Sequence, residues 1–110
     1  MSSTEQISKR DLCALKIIIK RNDELNGKRL EALIINLLKK SGVAGSTVWI
    51  GVDGFGKRGK SVLRWEGVAV NMPLIIETVD EQSKIEPLLR EIKRIVGDNG
   101  LVSIQDIYVI

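Results

Sequence analysis

The chain has 110 residues, is 44% hydrophobic and carries a net charge of +3; this suits one domain with a real core and excludes a disordered or repeat-built protein. It contains no histidine, which excludes Ser-His and Cys-His nucleophiles and the usual zinc sites. We expect a non-enzymatic protein.

Met1 to Lys9 is polar, without the apolar stretch of a signal peptide, and no apolar run approaches a membrane span. Residues 1–11 are expected to be a flexible tail and 12–110 one domain. One cysteine, Cys13, cannot make an intrachain disulfide, and a cytoplasmic location is the simple expectation. Leu12 to Lys20 is short, apolar and β-branched toward its end, a strand. Arg21 to Gly27 carries Asn, Asp and Gly turn signals. Leu30, Leu33, Ile34, Leu37 and Leu38 then recur on one helical face, with Lys39 and Lys40 at its carboxyl end and Gly42 as the left-handed stop. Thr47 to Val52 reads as a second strand after the Ala44-Gly45-Ser46 turn. Gly54 to about Gly67 reads as irregular, although Val62 to Trp65 could extend as strand.

Pro73 opens a further strand, Leu74 to Val79, since proline tolerates a strand's first position. Ile85, Leu88, Leu89, Ile92 and Val96 mark a second helix. Ser83 and Glu86 have capping-box spacing, which leaves Pro87 near the first turn; a start at Asp80 would make Pro87 a kink. Gly97-Asp98-Asn99-Gly100 ends this helix, and Leu101 to Ile110 is a closing strand. The order β-α-β-β-α-β predicts an α+β, ferredoxin-like fold: an antiparallel four-stranded sheet with two helices on one face. A sheet with one wet face should alternate apolar and polar residues. Leu12 to Ile19 has Lys16 as its only charge, and Leu74-Ile75-Ile76 does not alternate either. The second face wants cover, and another copy of the chain is the expected cover.

The charge is concentrated. Gly54 to Arg64 holds Lys57, Arg58, Lys60 and Arg64 without an acid, so this segment is +4 and the remainder sums to −1. An anionic partner is the first functional hint. The segment supports three readings. Gly54, Gly59, Lys60 and Ser61 satisfy G-x-x-x-x-G-K-[ST], a phosphate loop in which Lys60 would reach phosphates and Ser61 hold magnesium. That motif needs a helix immediately after it, and VLRWEGVAVNMP is a poor helix. The second reading is a solvated hairpin tip.

The third reading is a family resemblance. Gly45-Ser46-Thr47-Val48, then Gly54-Phe55-Gly56-Lys57, then Asn71-Met72-Pro73-Leu74-Ile75-Ile76-Glu77, then Gly97-Asp98-Asn99-Gly100 resemble the successive landmarks of PII signalling proteins. In that family a G-x-T-V strand enters the long T-loop through G-F-G-[RK], a Leu-Pro strand leaves it, and a glycine-aspartate B-loop follows the second helix. The spacing from Thr47 to Gly54 is one residue longer than in PII itself and is closer to a PII-like branch described as a domain of unknown function.

The resemblance implies a homotrimer with an effector in each cleft between subunits, bounded by the base of the T-loop and the B-loop. It implies no fixed cofactor and no metal site. The implied effector is an adenine nucleotide or related small anion. Gly54 and Gly56 would let the backbone approach it, Phe55 would orient the loop, and Lys57, Arg58 and Lys60 would neutralise phosphates. Gly97, Asp98 and Gly100 would form the B-loop side. The T-loop would be read by a target protein, a membrane transporter by family analogy, without direct membrane insertion. Two departures from the PII pattern point to a ligand with fewer phosphates than ATP: Leu101 stands where PII has a phosphate-meeting lysine, and the basic carboxyl-terminal segment that grips phosphate in PII is not expected here. The loop also holds no tyrosine, so the family's uridylylation would have no acceptor.

Trp49 and Trp65 read as packing rather than base-stacking residues, Tyr108 as a strand or interface residue, Glu77 as facing a neighbouring strand and Asp80 as a helix cap. The competing classes are a small nucleic-acid-binding module, a phosphate-loop nucleotide hydrolase and a metal-tolerance protein of the related CutA kind. The first lacks an aromatic platform; the last lacks histidine and has one cysteine.

Overall fold

A computed structural model describes residues 12–56, 59–63 and 69–110, with side chains over 12–52 and 71–110. The expected tail, Lys57, Arg58, Arg64, Trp65 and Gly67 lie outside the described residues.

The ferredoxin-like arrangement is present. Strands β1 (Leu12–Lys20), β4 (Thr47–Ile50), β8 (Pro73–Glu81) and β9 (Leu101–Asp106) form one antiparallel sheet in the order β4-β8-β1-β9. Between β1 and the first helix, the short strands β2 (Glu24–Leu25) and β3 (Lys28–Arg29) pair across Asn26 and Gly27. These have φ of 53° and 80°, the two left-handed residues that a tight hairpin turn requires and that the Asn-Gly pair supplies at low cost.

Helix α1 (Leu30–Lys40) buries Leu30, Ile34 and Leu38, the stripe that its periodicity predicts, and half-buries Leu33 and Leu37. Arg29 occupies the N-cap without a side-chain cap bond; the Leu30 amide instead donates to the Asp23 carbonyl at 2.9 Å. At the other end the Ser41 hydroxyl donates to the Leu37 carbonyl at 2.7 Å. Gly42, with φ of 78°, turns the chain out of the helix.

The second helical region departs from expectation. Strand β8 continues to Glu81, which is the N-cap of α2 (Gln82–Ile85), a 3-10 turn spans Glu86–Leu88, and α3 (Leu89–Val96) follows. The Ser83–Glu86 capping box is not formed. Pro87 has no N–H for the carbonyl four residues back, so the α-helical ladder is interrupted there, and Pro87 sits in the first turn of the 3-10 segment, where proline is tolerated. Asp80 remains in the strand, buried: its carboxylate accepts from the Ala44 amide at 2.8 Å and the Glu81 amide at 2.7 Å, with Lys84 at 3.8 Å. It therefore ties the β4 approach loop to the start of α2. The Thr78 hydroxyl makes a second tie, donating to the Gly45 carbonyl.

The core lies between sheet and helices. Cys13, Leu15, Ile17 and Ile19 of β1 and Leu74 and Ile76 of β8 meet Ile34, Leu38, Ile85, Ile92 and Ile95. Each fully buried side chain of this size contributes about 1.5–3 kcal/mol by leaving water. Burial and the nearby carboxylates of Asp106, Glu86 and Asp80 push the Cys13 thiol above its ordinary value.

Opposed residues of an antiparallel pair share a face, so the register defines the sheet's other side. One row across it is Trp49, Ile75, Ile18 and Leu101; the next is Thr47, Glu77, Lys16 and Ser103. No described element covers these rows. Trp49 is 51% and Leu101 56% exposed, while Lys16 and Glu77 pair at 3.8 Å. The apolar row is the unalternating pattern of the sequence expressed as an uncovered surface.

Candidate functional site

The segment expected to be irregular contains regular structure. Strand β5 (Asp53–Gly56) pairs antiparallel with β6 (Gly59–Leu63), with Gly54 opposite Ser61, Phe55 opposite Lys60 and Gly56 opposite Gly59; β6 in turn pairs with β7 (Ala69–Val70). A hairpin thus carries the expected site residues Gly54, Phe55, Gly56 and Lys60. This overturns the phosphate-loop reading. Ser61 lies inside a strand, so no helix amino end follows Lys60 and Ser61 to face phosphates.

The root of this hairpin is fixed to the end of the main sheet. The Gly51 amide donates to the Pro73 carbonyl at 2.8 Å. A Cβ on Gly51 would stand 2.6 Å from Pro73 Cγ, so only glycine lets the outgoing and returning strands lie this close. Asn71 precedes the return with φ of 46° and accepts the Asn22 amide on its Oδ1 at 3.0 Å; the Arg21 amide donates to the Met72 carbonyl at 2.8 Å. The sequence landmark Asn71-Met72-Pro73 therefore works as a latch between the hairpin and the end of β1. Asparagine tolerates left-handed backbone better than most side chains, a signal that the sequence carries at Asn71 beside its family resemblance.

The second glycine cluster, 97–100, connects α3 to β9. Gly97 adopts φ 67° and ψ −151°; its amide donates to the Lys93 carbonyl at 2.8 Å and its own carbonyl accepts from Lys93 Nζ at 3.0 Å. Asp98 and Asn99 are exposed. A Cβ on Gly100 would lie 2.9 Å from the Ile18 carbonyl oxygen and would collide with Val96 Cγ1. Gly100 therefore owes its identity to packing against β1 and α3.

The register relates the two clusters. Pro73 is opposite Lys20, and Leu101 is opposite Ile18, so the hairpin root and the 97–100 loop lie at the same end of the sheet. They flank opposite edges, β4 and β9. Three interstrand spacings of about 4.8 Å separate those edges, about 14 Å. One chain brings Gly54 to Gly56 together with Lys60, and separately groups Gly97, Asp98 and Gly100, but it does not bring the two groups into contact along the sheet.

Backbone direction at the edges follows from the same bonds. The Gly51 amide points inward to β8, which by alternation leaves Val48 and Ile50 facing outward; the Ile107 amide points inward to the Leu12 carbonyl at 3.3 Å, which leaves Val102, Ile104 and Asp106 outward. Among the described residues, no strand pairs with the outer side of either edge. Nor do they contain a cluster of three acidic or cysteine groups suited to a metal ion, or a helix long and apolar enough to cross a membrane.

This α+β sheet, with a glycine-bearing hairpin leaving one edge and a glycine loop serving the other, defines a PII-like ferredoxin fold. The solved structures of CPII, a nitrogen regulatory PII-like protein from Thiomonas intermedia K12, share it. One, bound to ADP, AMP and bicarbonate, superposes with a TM-score of 0.72 at 22% identity, covering 94% of this chain and 92% of that chain. Another, bound to ADP and bicarbonate, gives a TM-score of 0.71 at 22% identity over the same shares. In sequence, the UPF0166 protein of Methanocaldococcus jannaschii is 35% identical over 95 residues, covering 86% of this chain and 88% of the relative. The UPF0166 protein of Aquifex aeolicus is 30% identical over 98 residues, 87% of this chain and 90% of the relative. The family model DUF190, described as Uncharacterized ACR, COG1993, matches residues 12–109. The chain belongs to this DUF190 (UPF0166) family.

Proposed function

We propose that this protein is a PII-like regulatory protein that binds a small anionic, nucleotide-like effector in clefts between its own copies. The observation that carries this reading is the placement of the two glycine clusters at one end of the sheet but on opposite edges. A head-to-tail ring joins β4 of one copy to β9 of the next. Because β4 runs toward the hairpin end and β9 away from it, the new pair is antiparallel, like every pair already in the sheet. Each such junction sets the root of the hairpin beside the 97–100 loop of the neighbouring copy. It also turns the Trp49–Leu101 row inward. Three copies close the ring in the PII resemblance, and a closed ring leaves no unpaired edge to recruit other chains.

In this cleft Gly54 and Gly56, without side chains, let a ligand approach the backbone closely, and Lys57, Arg58 and Lys60 supply the charge that pairs with phosphate. Gly97, Asp98 and Gly100 close the other wall. Leu101 contributes no cation, so the site suits a mono- or diphosphate better than a triphosphate. Of the ligands of the CPII structures, ADP and AMP fall within that class, and bicarbonate is a small anion without phosphate. Binding would act as a signal by favouring one arrangement of the basic hairpin, which needs unequal affinity for two arrangements; a target protein, by family analogy a membrane transporter, would read it. No catalytic residue enters this reading.

The alternative of an RNA-binding sheet is disfavoured. Its central uncovered positions are Lys16, Ile18, Ile75 and Glu77, which provide no aromatic platform for bases. A thermal-shift series with AMP, ADP, ATP and bicarbonate, run alongside mass measurement of the native assembly, tests the proposal. We expect a trimer stabilised by AMP or ADP and a Lys57→Ala/Arg58→Ala variant that assembles but loses the stabilisation. A monomer at micromolar concentration, or no response to any of the four, refutes it.

A further inference from the structure

On the helical side of the sheet, the β2–β3 hairpin, α1 and α3 border an open groove of about 370 Å³. Its floor is apolar, with Leu33 and Leu37 of α1 and Ile95 of α3. Three elements each bring a cation to its rim: Lys28 of β3, Lys40 of α1 and Arg94 of α3. Leu33, Leu37 and Lys40 fall at i, i+4 and i+7, one stripe of the helix. This stripe belongs to neither the core-facing row of Leu30, Ile34 and Leu38 nor the fully polar face.

The rim holds one carboxylate, Glu91, and it is already taken. Arg94 grips it with two bonds, Nε to Oε2 at 3.0 Å and Nη2 to Oε1 at 2.5 Å, which holds the Glu91 carboxyl below the ordinary carboxylate range. Lys28 and Lys40 have no ion-pair partner among the described residues. The groove therefore presents a positive field around half-buried leucines, a combination complementary to an apolar ridge flanked by acids.

We propose that this groove docks an acidic amphipathic helix of a partner protein, its apolar side chains on Leu33, Leu37 and Ile95 and its carboxylates on Lys28 and Lys40. A valley bordered by two helices is the shape that such a helix fills. A basic partner would meet like charge at Lys28 and Lys40, and a bare inorganic anion would leave the apolar floor wet. The helices lie on the side of the sheet opposite the Trp49–Leu101 row, so the groove stays accessible whether or not the copies form a ring.

The test is a titration of the ¹⁵N-labelled full chain with a synthetic helix-forming peptide bearing leucines at i, i+3, i+4 and i+7 and glutamates on either flank, against a control with lysines for the glutamates. We expect amide shifts centred on Leu25, Leu33, Leu37 and Ile95 for the acidic peptide only. Affinity should fall about tenfold in Lys28→Glu/Lys40→Glu and by less in Lys28→Gln/Lys40→Gln. Both lysines are exposed, and unchanged circular dichroism would verify that the variants fold. Shifts elsewhere, equal binding of the basic control, an unaffected double variant, absence of binding, or displacement of the peptide by 4-methylpentanoate alone would each overturn the proposal.

Discussion

Gly100 packs so tightly against Ile18 that a Cβ would stand 2.9 Å from the Ile18 carbonyl oxygen, with Val96 blocking retreat on the other side. Backbone cannot yield as a flexible side-chain end can. Gly100→Ala should therefore destabilise the fold by about 1–3 kcal/mol through overpacking, measured as a fall in the denaturant midpoint without a change in slope.

Gly97 poses a different constraint. Nothing lies within 4 Å of a Cβ there, yet its φ of 67° is one that side chains rarely adopt. Gly97→Ala should cost about 1–3 kcal/mol from backbone strain alone. The two substitutions separate by size: enlarging alanine to valine should worsen position 100 sharply and position 97 only modestly, a contrast that thermal melts would register.

The proposed ring buries the exposed apolar row, so it is sensitive to a single charge there. Trp49→Glu places a carboxylate in the row opposite Ile75, and Leu101→Glu does so opposite Ile18. Either should convert the native assembly to single chains by light scattering. A native mass unchanged in both variants would show that this face is not an intersubunit surface.

Cys13 gives a pH prediction. Burial first, then the fields of Asp106, Glu86 and Asp80, raise its thiol above 9.0 in the folded chain. Above pH 9.0 the unfolded chain loses that proton while the folded chain keeps it, so the unfolded state binds fewer protons and stability falls as pH rises. Below that pH the group contributes no slope. Unfolding titrations from pH 8 to 10.5 should show the decline, and Cys13→Ala should remove that component while lowering stability at every pH. Iodoacetamide should label the native chain only at the rate of unfolding.

Asp80 joins two segments far apart in sequence through the amides of Ala44 and Glu81. Asp80→Ala leaves the Ala44 amide without this acceptor in a part-buried position and should cost about 1–3 kcal/mol. Hydrogen exchange should speed most at residues 43–46 and 80–85, at the two ends of the tie.

Most of the fold was readable because its elements announce themselves locally. The Leu30–Leu38 periodicity, the Asn26-Gly27 turn and the β-branched strands each reflect interactions spanning a few residues. Pro87 was readable in kind but not in consequence: whether the chain would seat it in a first turn depended on how far β8 ran, and that was set by pairing with Leu12 and by the bonds to Asp80. Gly54 to Ser61 reads as irregular because its glycines have weak strand propensity, and only the pairing of β5 with β6, from Gly56 opposite Gly59 to Asp53 opposite Val62, supplies the missing stability.

For the candidate site, residue types were legible and their grouping was not. Composition determined that histidine chemistry is impossible, and residue order along the chain determined that the positive charge gathers at 54–64 and that one face of the sheet would lack cover. Tertiary structure decided that the glycine clusters share one end of the sheet while flanking opposite edges, that Gly100 is held by packing, and that Lys28, Lys40 and Arg94 surround one groove. Composition and periodicity are properties of neighbours along the chain. Strand order and register are set by contacts between distant residues, and those distances determine which groups can act together.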